Sequence, residues 1–96
     1  METVYVIEAI KTDKTKIIVG VTDSKAIAGE IISNYSYTDL EKIDVKVCDP
    51  EARKVDAKHL WWVSRSDQMS FPHSTSYFYI YEIELNKVGS YSIPLR

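Results

Sequence analysis

The sequence predicts an α+β fold: an antiparallel β-sheet of about five strands, with one main helix at about residues 23–34 packed on one face, and short helical turns. Three observations lead there. Runs of β-branched and aromatic residues recur with a period of two, each bounded by polar, turn-forming residues. One segment between the second and third runs has its apolar residues at helical spacing instead. The first two strand-like runs are joined by a short polar link, which favours antiparallel neighbours.

Thr3 to Ile10 reads as the first strand, with Tyr5, Ile7 and Ala9 on one side and Val4, Val6 and Ile10 on the other. Apolar residues on both sides predict an inner strand covered on both faces. Lys11 to Thr15 is a polar turn. Lys16 to Thr22 is the second strand, with Ile17, Val19 and Val21 expected on one face, and Gly20 marking a bulge or a close backbone approach. Thr22, Asp23 and Ser24 offer helix N-caps. In the helix, Ile27 and Ile31 share a face that Ala28 and Ile32 extend, while Lys25 and Glu30 point outward. Asn34 is the expected stop, and Gly29 suggests a tight helix-on-sheet contact.

Thr38-Asp39-Leu40-Glu41 fits a capping box that opens a turn of helix. Ile43, Val45 and Val47 then alternate with Asp44, Lys46 and Cys48, a half-buried strand with one wet face. Asp49-Pro50 is a helix-start signal, and the polar segment through Lys58 predicts at most a short exposed helix. His59 to Arg65 forms a strand with Trp61 and Trp62 on opposite sides. Ser66 to Ser76 is long and polar, the pattern of a surface loop, and such loops often carry function. Ser76 to Asn86 is the most pronounced strand, with Tyr77, Tyr79, Tyr81, Ile83 and Leu85 along one face. The tail from Lys87 to Arg96 adds a short edge strand.

Composition narrows the function classes. The 96 residues suit one domain, and 45% are apolar, enough for a core. Twelve Lys and Arg against fourteen Asp and Glu give a net charge of −2, which argues against coating a long nucleic acid. The single cysteine excludes an internal disulfide. The opening residues have no basic stretch and Glu8 interrupts their apolar run, so neither a signal peptide nor a membrane span is expected, and the expected location is cytoplasmic.

Chemistry-bearing residues are sparse. His59, His73 and Cys48 show no paired metal-ligand spacing, so no metal site is expected. The three glycines stand apart at positions 20, 29 and 89 and form no phosphate loop. Cys48 with either histidine supplies the residue types of a thiol triad but not its geometry. Glu82 and Glu84 form an acidic pair on one strand face, the usual look of a solvated surface. No catalytic residue and no cofactor are assigned, and a hydrolase built on Cys48 or a histidine is the least favoured reading.

Aromatic residues are the unusual feature. Seven of the eleven lie between Trp61 and Tyr81. Tyrosine and tryptophan join a large apolar body to a polar tip and serve both cores and recognition surfaces. The candidate binding set is Trp61, Trp62, Arg65, Phe71, His73, Tyr77 and Tyr79. Arginine and aromatic planes also stack on nucleobases, so a small nucleotide is an alternative ligand.

The motif order resembles a known group. Val4-Tyr5-Val6-Ile7-Glu8, Ile18-Val19-Gly20-Val21-Thr22-Asp23-Ser24-Lys25, Trp62-Val63-Ser64-Arg65 and Tyr81-Glu82-Ile83-Glu84-Leu85-Asn86 are similar to small uncharacterised strand–strand–helix domains of tailed phages and bacteria. The resemblance covers about half of the chain, rests on structural residues and carries no catalytic residue across. It implies a phage or mobile-element accessory protein that binds and modulates a host or defence protein. The alternative is a homo-oligomeric protein that sequesters a signal nucleotide.

Overall fold

Alternating apolar residues give this chain strands with two useful faces, and the computed structural model, which describes residues 3–49, 55, 57–67 and 69–84, shows how they assemble. Five strands form one antiparallel sheet: β1 (Thr3–Lys11), β2 (Lys16–Thr22), β3 (Ile43–Cys48), β4 (His59–Arg65) and β5 (Thr75–Glu84). Their spatial order is β2-β1-β5-β4-β3. The helix α1 (Lys25–Ser36) and a 3-10 turn (Leu40–Lys42) lie between β2 and β3 in the chain. They carry it from one edge of the sheet to the other. The fold is α+β, with a five-stranded antiparallel sheet and one helix.

Both faces of the sheet centre are buried, as two-sided apolar strands require. On the first face, α1 lays Ala28 and Ile32 over Ile7, Ala9, Val63, Phe78 and Ile80, with Trp61 and Phe71 completing the cluster. On the second face, Val6, Ile10, Leu60, Tyr79, Tyr81 and Ile83 pack together, with Val55 and Ala57 against them. Burying each large side chain contributes about 1.5–3 kcal/mol.

Several local expectations need correction. The helix runs Lys25–Ser36 rather than stopping near Asn34, because Tyr37 takes the left-handed conformation (φ 51°) and its N–H reaches the Ser33 carbonyl. Ser24 is the N-cap, its hydroxyl accepting from the Ile27 N–H at 3.4 Å. Ile27 points to solvent, and Ala28, Ile32 and Ser36 form the buried row. On β2 the alternation breaks at a bulge opposite Ile7 and Glu8, so Val19 joins the first core, Ile18 packs on the second and Val21 is exposed. The capping box does not form: Asp39 caps the 3-10 turn without a side-chain bond, and the Thr38 hydroxyl donates to the Ser36 carbonyl at 3.0 Å.

Gly20 and Gly29 differ in what they require. A Cβ on Gly20 would lie 2.9 Å from the Ile31 Cγ2, so the helix–sheet approach is close there. A Cβ on Gly29 would meet the Leu40 Cδ2 at 3.7 Å, an ordinary contact, so no tight packing demands that glycine. β3 keeps Val45 and Val47 exposed, because α1 packs on β1 and β2 and leaves the other end of the sheet open. Cys48, expected on the wet side, packs partly against the second core. The Asp49-Pro50 helix start and the tail strand lie outside the described residues.

Candidate functional site

Strand parity divides the aromatic set. In the ladder, Trp61 stands opposite Ile80 and Trp62 opposite Tyr79, so the two indoles occupy different faces. Trp61 is core, 7% exposed, on the helix side. The Lys25 ammonium sits 4.0 Å above its ring, and Tyr5 and His59 flank it at 6.3 and 5.5 Å between ring centres. Phe71 and Tyr79 are buried as well. Phe71 stands edge-on to Phe78 at 4.9 Å and bridges Thr75, folding the expected surface loop back onto the sheet.

Trp62 is different. It is 40% exposed on the second face, near the open end of the sheet. Its ring meets Tyr77 edge-on at 5.7 Å and 80°, and Tyr77 in turn meets Tyr79 at 5.3 Å. Lys46 on β3 lies directly opposite Trp62 across the ladder. The result is a partly open aromatic row, continued on the same face by buried Tyr79 and Tyr81.

Arg65 is committed to its own loop. Its guanidinium donates to both Asp67 carboxylate oxygens, from Nε at 3.0 Å and from Nη2 at 2.7 Å. That fork holds the Asp67 carboxyl below the usual aspartate range, and the Met69 N–H adds to it. Arg65 therefore braces the β4 exit rather than reaching toward Trp62.

His73 belongs to another corner, at the C-terminal end of α1. Its ring lies 5.5 Å from Tyr35 and 5.9 Å from Tyr37. Lys11 donates to the His73 carbonyl and to the Tyr35 hydroxyl. His73 and Ser74 both take positive φ, at 60° and 54°, and Tyr37 is 80% exposed. Sequence reading missed Lys11, Tyr35 and Tyr37 as companions of His73. The only advance signal was two tyrosines at the end of a helix, and nothing in the sequence joins that end to the turn before β5.

The sparse chemical groups do not converge. Cys48 and His59 sit on adjacent strands but on opposite faces, because Cys48 pairs with Leu60 and the neighbouring His59 points the other way. The His59 Nδ1 instead lies 3.2 Å from the Glu82 Oε1, and Lys58 approaches Glu82 at 3.9 Å and Glu84 at 4.0 Å. The acidic pair is thus matched by basic neighbours. Among the described residues no group of three or more His, Cys, Asp or Glu side chains is placed to hold a metal, and no helix is long and apolar enough to cross a membrane. Comparison with protein-family models, curated proteins and solved structures finds no match to this chain.

Proposed function

We propose that this is a non-enzymatic binding protein that engages a protein partner through the second sheet face, with Trp62 as anchor and Tyr77 beside it. One observation carries the reading: Trp62 stays 40% exposed although it sits in a strand whose neighbours fill two cores. A large ring held edge-on by Tyr77 loses little freedom on binding, and such rigid aromatics dominate interface energetics. The setting proposed with it is a phage or mobile-element accessory protein acting in the cytoplasm on a host or defence protein. Its support is the resemblance of the opening strands, the helix and the late aromatic strand to small phage and bacterial domains.

The test is capture from host lysate followed by affinity measurement with the captured partner. Trp62→Ala is expected to weaken binding by at least about tenfold while the circular dichroism spectrum stays unchanged. A folded Trp62→Ala protein that binds the same partner as tightly as the wild type overturns the reading. Replacing Trp61 or Phe71 is no substitute, since both are core.

The Lys11, Tyr35, Tyr37 and His73 corner favours a second reading. Exposed aromatic planes beside a cation suit a base and its phosphate, which would make the chain a binder of a small signal nucleotide. Calorimetry against linear and cyclic nucleotides checks it: heat is expected from the wild type and not from Tyr37→Ala, and no heat from the wild type removes it.

A further inference from the structure

β3 closes the strand order, so among the described residues one side of its backbone has no partner in the sheet. Its ladder to β4 shows which groups those are. The Ser66 N–H donates to the Lys42 carbonyl at 2.8 Å, so the 42/66 pair is a hydrogen-bonded one. Antiparallel pairs alternate between bonded and non-bonded. Asp44, Lys46 and Cys48 therefore aim their N–H and C=O at β4, while Val45 and Val47 aim both of theirs outward; Ile43 offers its carbonyl there, its N–H being taken by the Leu40 carbonyl. The strand has neither proline nor bulge, and Val45 and Val47 are 43% and 72% exposed. Edges of this kind are templates for another strand.

The side chains choose the occupant. Placed antiparallel to itself about Val45, β3 meets a second copy with Val45 opposite Val45 and Ile43 opposite Val47, all on the first face. On the second face Asp44 then lies opposite Lys46 of the second copy, twice by symmetry. The backbone parity agrees, because Val45, Val47 and the Ile43 carbonyl supply the outward groups. Sliding either way to the next register with the same parity places Asp44 against Asp44 or Lys46 against Lys46. Like charges directly opposite are unfavourable and opposite charges favourable. In the single chain half-exposed Asp44 and exposed Lys46 pair with each other at 3.8 Å, a solvated pairing that can be exchanged for one across an interface.

We infer that the protein self-associates through β3, two copies joining antiparallel about Val45 into one ten-stranded sheet, with reciprocal Asp44–Lys46 pairs fixing the register. The interface is a two-fold one in which the same patch serves both copies. It does not depend on the partner-binding role of Trp62.

Sedimentation equilibrium over a concentration series tests it. The wild type is expected to show a reversible monomer–dimer equilibrium that weakens with salt. Lys46→Glu and Asp44→Lys each turn both attractive pairs into repulsive ones and should weaken the dimer by about tenfold or more. Mixed together, the two variants regain complementary pairs and should form a heterodimer. Both side chains reach solvent, so the folds should survive, which circular dichroism verifies. A wild type that stays monomeric at every concentration overturns the inference. So does a dimer that neither variant weakens, or a mixture of the two that fails to associate.

Discussion

Glu8 is fully buried in the middle of β1, on the second face, with Tyr79 directly opposite. A carboxyl group placed there is costly unless hydrogen-bonded. The Tyr81 hydroxyl supplies one bond, donating to Glu8 Oε1 at 2.7 Å, while Oε2 has no hydrogen-bond partner among the described residues. Tyr81→Phe removes the donor and should destabilise the protein by about 1–3 kcal/mol in chemical denaturation. Adding Glu8→Leu removes the stranded acceptor too, so the double variant should be more stable than Tyr81→Phe alone. Equal stability of wild type and Tyr81→Phe would show that the bond contributes nothing. The same contact sets a pH dependence. Burial first, then the Glu8 hydrogen bond and negative charge, push the Tyr81 hydroxyl far above its ordinary range. The folded protein therefore holds this proton where the unfolded chain releases it, so its contribution is intact below about pH 10 and is lost as the pH rises above that. Alkaline titration of stability should show a falling slope above the ordinary tyrosine value, and a shallower one for Tyr81→Phe.

At the scale of elements, the helix–sheet contact gives two glycines opposite fates. Gly20→Ala would drive a methyl into the stiff, β-branched Ile31 and should cost about 1–3 kcal/mol. Gly29→Ala meets only ordinary contact with Leu40 inside a helix and should stabilise by about 0.5–1 kcal/mol. Thermal melts of the two variants should move in opposite directions, and a shift of the same sign in both would break the account. The strands and the helix were legible because period two and period 3.6 leave direct traces in the sequence. Bounds and faces were less so. The bulge beside Gly20 leaves Ile17 and Val19 on the first face and moves Val21 to the second, and a pattern of apolar residues does not record one extra residue in a ladder. The opposite faces of Trp61 and Trp62 followed from strand parity, but which indole is covered depends on where α1 docks and on Lys25 lying over Trp61. The Tyr37–His73 corner brings together residues far apart in sequence, and no local pattern encodes it.

Across the whole molecule, protection should follow position in the sheet. β1 and β5 lie at its centre, paired on both edges and packed on both faces, whereas β2 and β3 each have one outer side. Local opening is easiest where backbone groups face solvent. In dilute protein the slowest amide exchange is therefore expected in β1 and β5. Within β3 a single chain should alternate, with the amides of Asp44, Lys46 and Cys48 slowed by their bonds to β4, that of Ile43 slowed by its bond to the Leu40 carbonyl, and those of Val45 and Val47 fast. Concentration then separates an isolated edge from a paired one. If two copies join about Val45, the outward amides of Val45 and Val47 gain protection as protein concentration rises, while their inward neighbours change much less. Association through any other surface would leave that alternation unaltered. Hydrogen exchange read residue by residue at two concentrations makes the distinction, and an outward set that exchanges at the same rate in both would place the contact elsewhere on the molecule.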